Sequence, residues 1–281
     1  MKYIKLVINI ADEYQESLIA ELFDMDFNGF EQREGSIITY ITKENFGIGD
    51  RERIDQLLGG FPGDAFIESE EVVADQNWNE QWEQTIQAQT IGSFFVKPTW
   101  ARDSAPRGKI LLEIDPKMSF GTGYHETTRL MLRMLPKVIQ KGDVIIDAGT
   151  GTGILSIASV KLGAQKVFAF DIDEWSIINT KENILLNNTA DFITVEKGST
   201  ETIPEDFKAD VVLANINRNA ILDLLSDFKN VIKPKGYLVL SGLLKTDEKK
   251  VLSKLNSFEI TDIQQENEWI AICARKGSKS E

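Results

Sequence analysis

This sequence predicts an α/β protein with a doubly wound, mostly parallel sheet, preceded by a small ferredoxin-like α+β domain, and three observations carry that prediction. From Glu126 onward, helical and strand patterns alternate, as a parallel sheet with crossover helices requires. Within that region the apolar run Val144-Ile-Ile-Asp147 stops at an acid and enters Gly149-Thr-Gly151-Thr-Gly153, a strand, glycine loop and helix start in succession. The first 73 or so residues instead read β-α-β-β-α-β, the ferredoxin-like order.

In chain order, residues 2–10 alternate as a strand and Asp12 to Phe23 as an amphipathic helix with Leu18, Ile19, Leu22 and Phe23 inward. Residues 29–32 and 36–42 are strands around the turn Arg33-Glu-Gly35. Asp50 opens a helix that Gly59-Gly60 ends after Leu58, and a strand over 65–73 completes the set. Trp78 and Trp82 follow on one face of a short helix, an aromatic stripe expected to pack a linker against one of the domains. Strands over 94–100 and 109–114 flank a polar loop holding Pro106 and Gly108. We therefore divide the chain into a domain at 1–75, a linker helix and strand at 76–108, and a sheet domain at 109–281. In the last of these, helices are expected over 127–135, 154–162, 175–187, 220–231 and 247–255. Strands are expected over 144–147, 166–170, 193–197, 211–215 and 237–241, and residues 259–264 and 269–275 close as an antiparallel pair.

Composition excludes several classes. The 42% hydrophobic content suffices for packed cores, and no apolar run reaches membrane length. The N-terminus alternates like a strand and shows no cleavage site, so a cytoplasmic address is expected. One cysteine, Cys273, rules out an internal disulfide, and one histidine, His125, argues against a histidine or cysteine metal cage. The net charge of −13 is uneven: residues 1–75 hold 6 Lys/Arg against 17 Asp/Glu, a net of −11, whereas 76–281 hold 25 against 27. Such an N-terminal portion repels phosphate backbones and steers a basic partner inward; ordinary solubility is the competing reading.

The glycine loop describes a small-molecule pocket, because glycines admit positive φ and close backbone approach, and the helix starting at Ile154 aims N–H groups at an anionic or polar ligand end. A dinucleotide fingerprint fails: the place of its third glycine holds Ile154, or Ser156 when counted from Gly151. A P-loop also fails, with no Gly-Lys-Ser or Gly-Lys-Thr to close the run. Asp171 ends the next strand, where a carboxylate can accept both hydroxyls of a ribose; its rival Asp173 better suits the N-cap of the following helix.

The Asp-x-Gly-x-Gly-x-Gly pattern with its later strand-end acid resembles the cofactor loop of class I methyltransferases, which bind S-adenosylmethionine. The stretch from Ile114 through Phe120-Gly-Thr-Gly-Tyr-His-Glu-Thr-Thr128, read by itself a flexible polar loop that could close on the cofactor, makes the likeness specific. Together with Leu213-Ala-Asn215-Ile216 it resembles the ribosomal protein L11 methyltransferase family over nearly the whole chain. The resemblance implies a class I methyltransferase sheet behind a substrate-recognition domain. It also implies S-adenosyl-L-methionine as cofactor and amines of ribosomal protein L11, the N-terminal α-amine and lysine side chains, as acceptors.

Position by position, the resemblance assigns Thr128, Gly149, Asp171 and Asn215 to the cofactor, with Asp147 and Gly151 of the same loop beside them. Asn215 is the candidate catalytic residue, its side-chain carbonyl orienting the amine. The chain departs from the commoner family pattern at Asn217-Arg-Asn219, where small or apolar residues are usual. His125 is read as a loop-fixing hydrogen-bond partner rather than a base. A methyltransferase acting on RNA or a small-molecule amine, and a non-catalytic cofactor-binding protein that docks on ribosomes, stay open as alternatives. The acidic N-terminal domain and the lack of a basic aromatic patch argue against nucleic-acid readout. A monomer is expected, because no helix shows a leftover apolar face.

Overall fold

The computed structural model describes residues 2–23, 25, 27–63, 65–74, 86–117 and 119–278. The chain separates into two compact units, Met1–Trp78 and Asn79–Glu281. The segment with Trp78 and Trp82 lies outside the described residues.

In the first unit, β1 (Lys2–Asn9), α1 (Asp12–Phe23), β2 (Asn28–Arg33), β3 (Ser36–Thr42), α2 (Ile48–Leu58) and β4 (Phe66–Ala74) follow one another. The strands form one antiparallel sheet in the order β2-β3-β1-β4. Its core follows from alternation: Ile4, Leu6 and Ile8 of β1 and Ile37 and Ile41 of β3 meet Leu18 and Leu22 of α1 and Ile54 and Leu58 of α2. Ile19 packs at the edge of that core.

The second unit opens with a three-stranded sheet, β5 (Gln89–Ile91), β6 (Phe94–Lys97) and β7 (Ile110–Glu113). β5 was not expected, since three residues are too few to show a pattern. β6 and β7 pair in parallel, in register from Phe94 with Ile110 to Lys97 with Glu113. A division at residue 109 would therefore cut this sheet.

The main sheet contains β8 (Val144–Ala148), β9 (Lys166–Asp171), β10 (Ile193–Lys197), β11 (Ala209–Asn215), β12 (Ile232–Leu244), β13 (Phe258–Glu266) and β14 (Trp269–Lys276). Their order is β10-β9-β8-β11-β12-β14-β13, with β14 antiparallel to both of its neighbours. The strand order reverses between β8 and β11, and ligands of open α/β sheets bind at the carboxyl ends beside that switch point. The connecting helices are α3 (Glu126–Val138), α4 (Ile154–Leu162), α5 (Glu174–Leu186), α6 (Arg218–Val231) and α7 (Glu248–Leu252). Two buried clusters, one on each face, cover the sheet: one centred on Ile145, Val167, Leu213 and Met131, the other on Ile146, Phe168, Val212 and Phe228.

Three elements differ from expectation for local reasons. α3 continues past Pro136, because burial of Met134, Leu135 and Val138 offsets the one hydrogen bond a proline removes. The last helix is a single turn after a 3-10 turn at Lys245–Asp247, where the Asp247 carboxylate accepts the Leu244 N–H; it ends early because Lys254 and Leu255 N–H bond three residues back, to Val251 and Leu252, in place of four. α5 leaves Trp175, Ile178 and Leu185 exposed, so the argument for a monomer from an absence of leftover apolar faces does not hold for this helix.

Candidate active site

The carboxyl ends of β8, β9 and β11 bring the expected residues to one edge of the sheet. The register Leu213 with Asp147 and Ala214 with Ala148 sets Asn215 level with Gly149, and Ala148 pairs with Phe170 just before Asp171.

Asp147 is fully buried, and its Oδ2 accepts the Thr150 hydroxyl at 2.9 Å and the Ser156 hydroxyl at 2.6 Å. Burial pushes its carboxyl up to about 6, against the lowering effect of the Ser156 and Thr150 hydroxyls, and the nearby Asp171 charge adds to the rise. Through the Ser156 hydroxyl, Asp147 sets a carboxylate of the protein itself beside the first turn of α4, at the positive end of the helix dipole.

The rest of the glycine loop is similarly held. Gly149 N–H and Thr150 N–H donate to the Phe170 carbonyl, Gly151 N–H to Asp171 Oδ2 at 2.9 Å, and Thr152 N–H to the Phe120 carbonyl at 2.9 Å. Gly149 and Gly151 have φ of +70° and +57°, and both lie against protein: a Cβ at either would stand 2.2 Å from Ile216 Cγ2 or from the Phe120 carbonyl oxygen, respectively. Both glycines are required by chain conformation and close packing together.

Asp171, at the carboxyl end of β9, has one oxygen on Gly151 N–H and the other on Asp173 N–H at 3.0 Å, leaving acceptor capacity on a half-buried carboxylate. Asp173 caps α5 through Ser176 N–H and Ser176 Oγ; the first of these bonds does most to hold its carboxyl below the usual range.

Thr128, buried on α3, and Asn215 meet across 87 residues of sequence, Asn215 Nδ2 donating to Thr128 Oγ1 at 3.4 Å. Asn215 Oδ1 is buried with no partner. Asn217 caps α6 by accepting Ala220 N–H, while Arg218 is held by Asp247 at 2.7 Å and by Asn219 Oδ1. These residues build the start of α6, which accounts for the departure at 217–219. His125 caps α3: its Nδ1 faces Thr127 N–H and Thr127 Oγ1, and its ring sits between Phe120 and Trp269.

Sequence reading missed how the segment before Thr128 is fixed. Three buried asparagines one turn apart, two on α5 and one at its C-cap, treat it as an added strand. Asn187 exchanges bonds with Glu113 N–H and C=O, Asn183 with Asp115 N–H and C=O, and Asn179 donates to Asp115 C=O. Thr152 Oγ1 then donates to the Gly121 carbonyl at 2.7 Å. The stretch expected to be flexible is docked on the glycine loop. Only the four-residue spacing of asparagines along a helix hinted at this.

Buried polar atoms without a partner cost about 1–3 kcal/mol each unless a ligand or water meets them. Here they include Asp147 Oδ1, Asn179 Oδ1, Asn215 Oδ1 and Ser119 Oγ. Asp147 Oδ1 and Asn215 Oδ1, at the carboxyl ends of adjacent strands, are acceptors only, which opposes a phosphate there.

Comparison with known proteins bears on the chain as a whole. Residues 9–277 match the family "Ribosomal protein L11 methyltransferase (PrmA)". The ribosomal protein L11 methyltransferase of Syntrophomonas wolfei is 34% identical over 239 residues, 83% of this chain and 72% of that protein. The one from Caldicellulosiruptor saccharolyticus is 30% identical over 98% of this chain and all of its own length. A crystal structure of the ribosomal protein L11 methylase from Lactobacillus delbrueckii subsp. bulgaricus superposes with a TM-score of 0.63 at 29% identity, covering 68% of this chain and 99% of that one. The chain belongs to the ribosomal protein L11 methyltransferase family.

Proposed function

We propose that this chain transfers methyl groups from S-adenosyl-L-methionine to amines of ribosomal protein L11, at lysine side chains and at the N-terminal α-amine. The observation that carries the reading is Asn215, at the switch-point end of β11, with its carbonyl oxygen buried and unpartnered beside Thr128.

The residues suit the cofactor. Asp171 would accept the ribose hydroxyls, and the unpartnered acceptor atom of Asp147 suits the ammonium charge. The loop from Gly149 to Gly151 would lie against the cofactor, with Thr128 beside Asn215. The cofactor supplies an already activated methyl group, so the protein has to align the acceptor and exclude water. A lysine amine, with pKa about 10.4, must shed its proton to attack, whereas an α-amine near 7.7–8.0 is partly free. A water-poor pocket beside a sulfonium lowers the pKa of an entering ammonium through desolvation and like charge. Asn215 Oδ1 then accepts an N–H of the neutral amine and directs its lone pair. No strong base is needed, in keeping with His125 serving as a helix cap.

The acidic residues 1–75 fit recognition of a basic ribosomal protein, with residues 109–281 holding the cofactor. Among the described residues no helix is long and apolar enough to cross a membrane, and a ribosomal substrate fits a cytoplasmic address. Labelled methyl transfer offered purified ribosomal protein L11, ribosomal RNA and a panel of small amines tests the proposal. Label in lysine and the α-amine of the protein alone is expected; label in RNA or small amines, or none, would overturn it.

A further inference from the structure

We infer that Asn183 is a positioning residue for the cofactor crevice, acting through the two chain segments it joins. The inference rests on the cofactor reading above. Asn183 is 1% exposed, and its amide reaches three backbone groups on two different segments. Its Nδ2 donates to the Thr152 carbonyl at 2.9 Å and to the Asp115 carbonyl at 3.2 Å, while its Oδ1 accepts the Asp115 N–H at 3.0 Å. Thr152 is the residue through which the glycine loop grips the Phe120 segment, by its N–H to the Phe120 carbonyl and its hydroxyl to the Gly121 carbonyl. One side chain therefore fixes the glycine loop and the root of the segment laid over it.

Asn187, one turn further, offers a matched comparison. It is also buried and also exchanges two bonds with a backbone residue, Glu113, but reaches no atom of the glycine loop. Loss of Asn187 removes packing and hydrogen bonds at similar depth without releasing Thr152. Loss of Asn183 leaves the Thr152 carbonyl without that donor and lets the two segments shift apart. Sub-ångström misplacement of a binding group is costly to affinity and rate.

The test measures S-adenosylhomocysteine binding by calorimetry and thermal unfolding by circular dichroism on full chains carrying Asn183→Ala, Asn183→Asp or Asn187→Ala. Asn183→Asp keeps the side-chain volume and the acceptor but has no donor when ionised and at most one when protonated, so it cannot hold the Thr152 and Asp115 carbonyls together and reads the positioning role even where alanine impairs folding. Both Asn183 variants should weaken binding roughly tenfold or more, whereas Asn187→Ala, with a comparable loss of melting temperature, should stay within about twofold. In turnover, the Asn183 variants should raise KM for S-adenosylmethionine and leave KM for the protein substrate unchanged. Equal weakening by Asn183→Ala and Asn187→Ala, or native affinity in Asn183→Asp, would overturn the inference. Absence of binding by the unmodified chain would overturn the cofactor reading instead.

Discussion

Asn215 and Asp147 show how differently two polar side chains at adjacent strand ends can serve one site. Asn215 holds Thr128 with its amide nitrogen and leaves its oxygen free, so Asn215→Ala should spare the fold and lower methyl transfer at saturating cofactor by on the order of tenfold or more. Single-turnover assays with unchanged circular dichroism would show this, and full activity would sink the orienting role. Asp147 is buried with its carboxyl raised from 3.8 to about 6, so the folded state binds its proton more tightly than the unfolded chain does. Stability from this group is therefore full below about pH 4, falls as pH rises to about 6, and is flat beyond, a change on the order of 2–3 kcal/mol. Asp147→Asn should abolish that slope and be the more stable protein above pH 6 relative to pH 4. Urea melts of both across pH 4–7 measure the difference, and parallel curves would refute the burial argument. Both acids and the glycines were legible in the sequence because a strand end, a tight loop and a helix start are all local. Asn183 was not, since its meaning depends on Asp115, 68 residues away.

At the scale of elements, the glycine loop, the Phe120 segment and α5 form one hydrogen-bonded unit. Gly151 is its tightest point, with φ of +57° and the Phe120 carbonyl where a Cβ would go. Gly151→Ala should therefore cost about 1–3 kcal/mol of stability and weaken cofactor binding together, because the methyl group must lift the segment off the loop. Thermal unfolding and calorimetry check this, and loss of stability with native affinity would show that the segment does not shape the pocket. The same segment marks the limit of pattern reading. Its glycines and hydroxyls look like a mobile loop, yet its bonding partners are side chains of a distant helix and the loop itself. α3 is likewise fixed from afar: Arg129 and Arg133 converge on Glu266 of β13. Burial there opposes the charge, but the two guanidiniums outweigh it and hold the Glu266 carboxyl below its usual range.

For the whole molecule, charge and core are divided in the same place. Residues 1–75 carry a net of −11 and their own apolar cluster, while the sheet unit is nearly neutral and packs on its own two clusters. The βαββαβ order and the alternating αβ region were legible because burial follows alternation in β1 and an apolar run in β8 and β11. The small sheet β5-β6-β7 was not, since parallel pairing of β6 and β7 joins residues on either side of what reads as a loop. The division predicts that removing residues 1–75 abolishes methylation of ribosomal protein L11 and leaves S-adenosylhomocysteine affinity within about twofold; loss of both would count against separable roles. Ionic strength gives a test on the intact chain. Attraction between an acidic domain and a basic protein is screened over a Debye length of about 10 Å at 0.1 M salt and about 3 Å at 1 M. Raising salt across that range should therefore raise KM for the protein substrate steeply, mainly through slower association. Binding of S-adenosylhomocysteine, whose amino-acid and ribose contacts are short-ranged, should change little. A protein KM that stays flat with salt would mean that the acidity of residues 1–75 serves solubility, with recognition resting on contacts made after encounter.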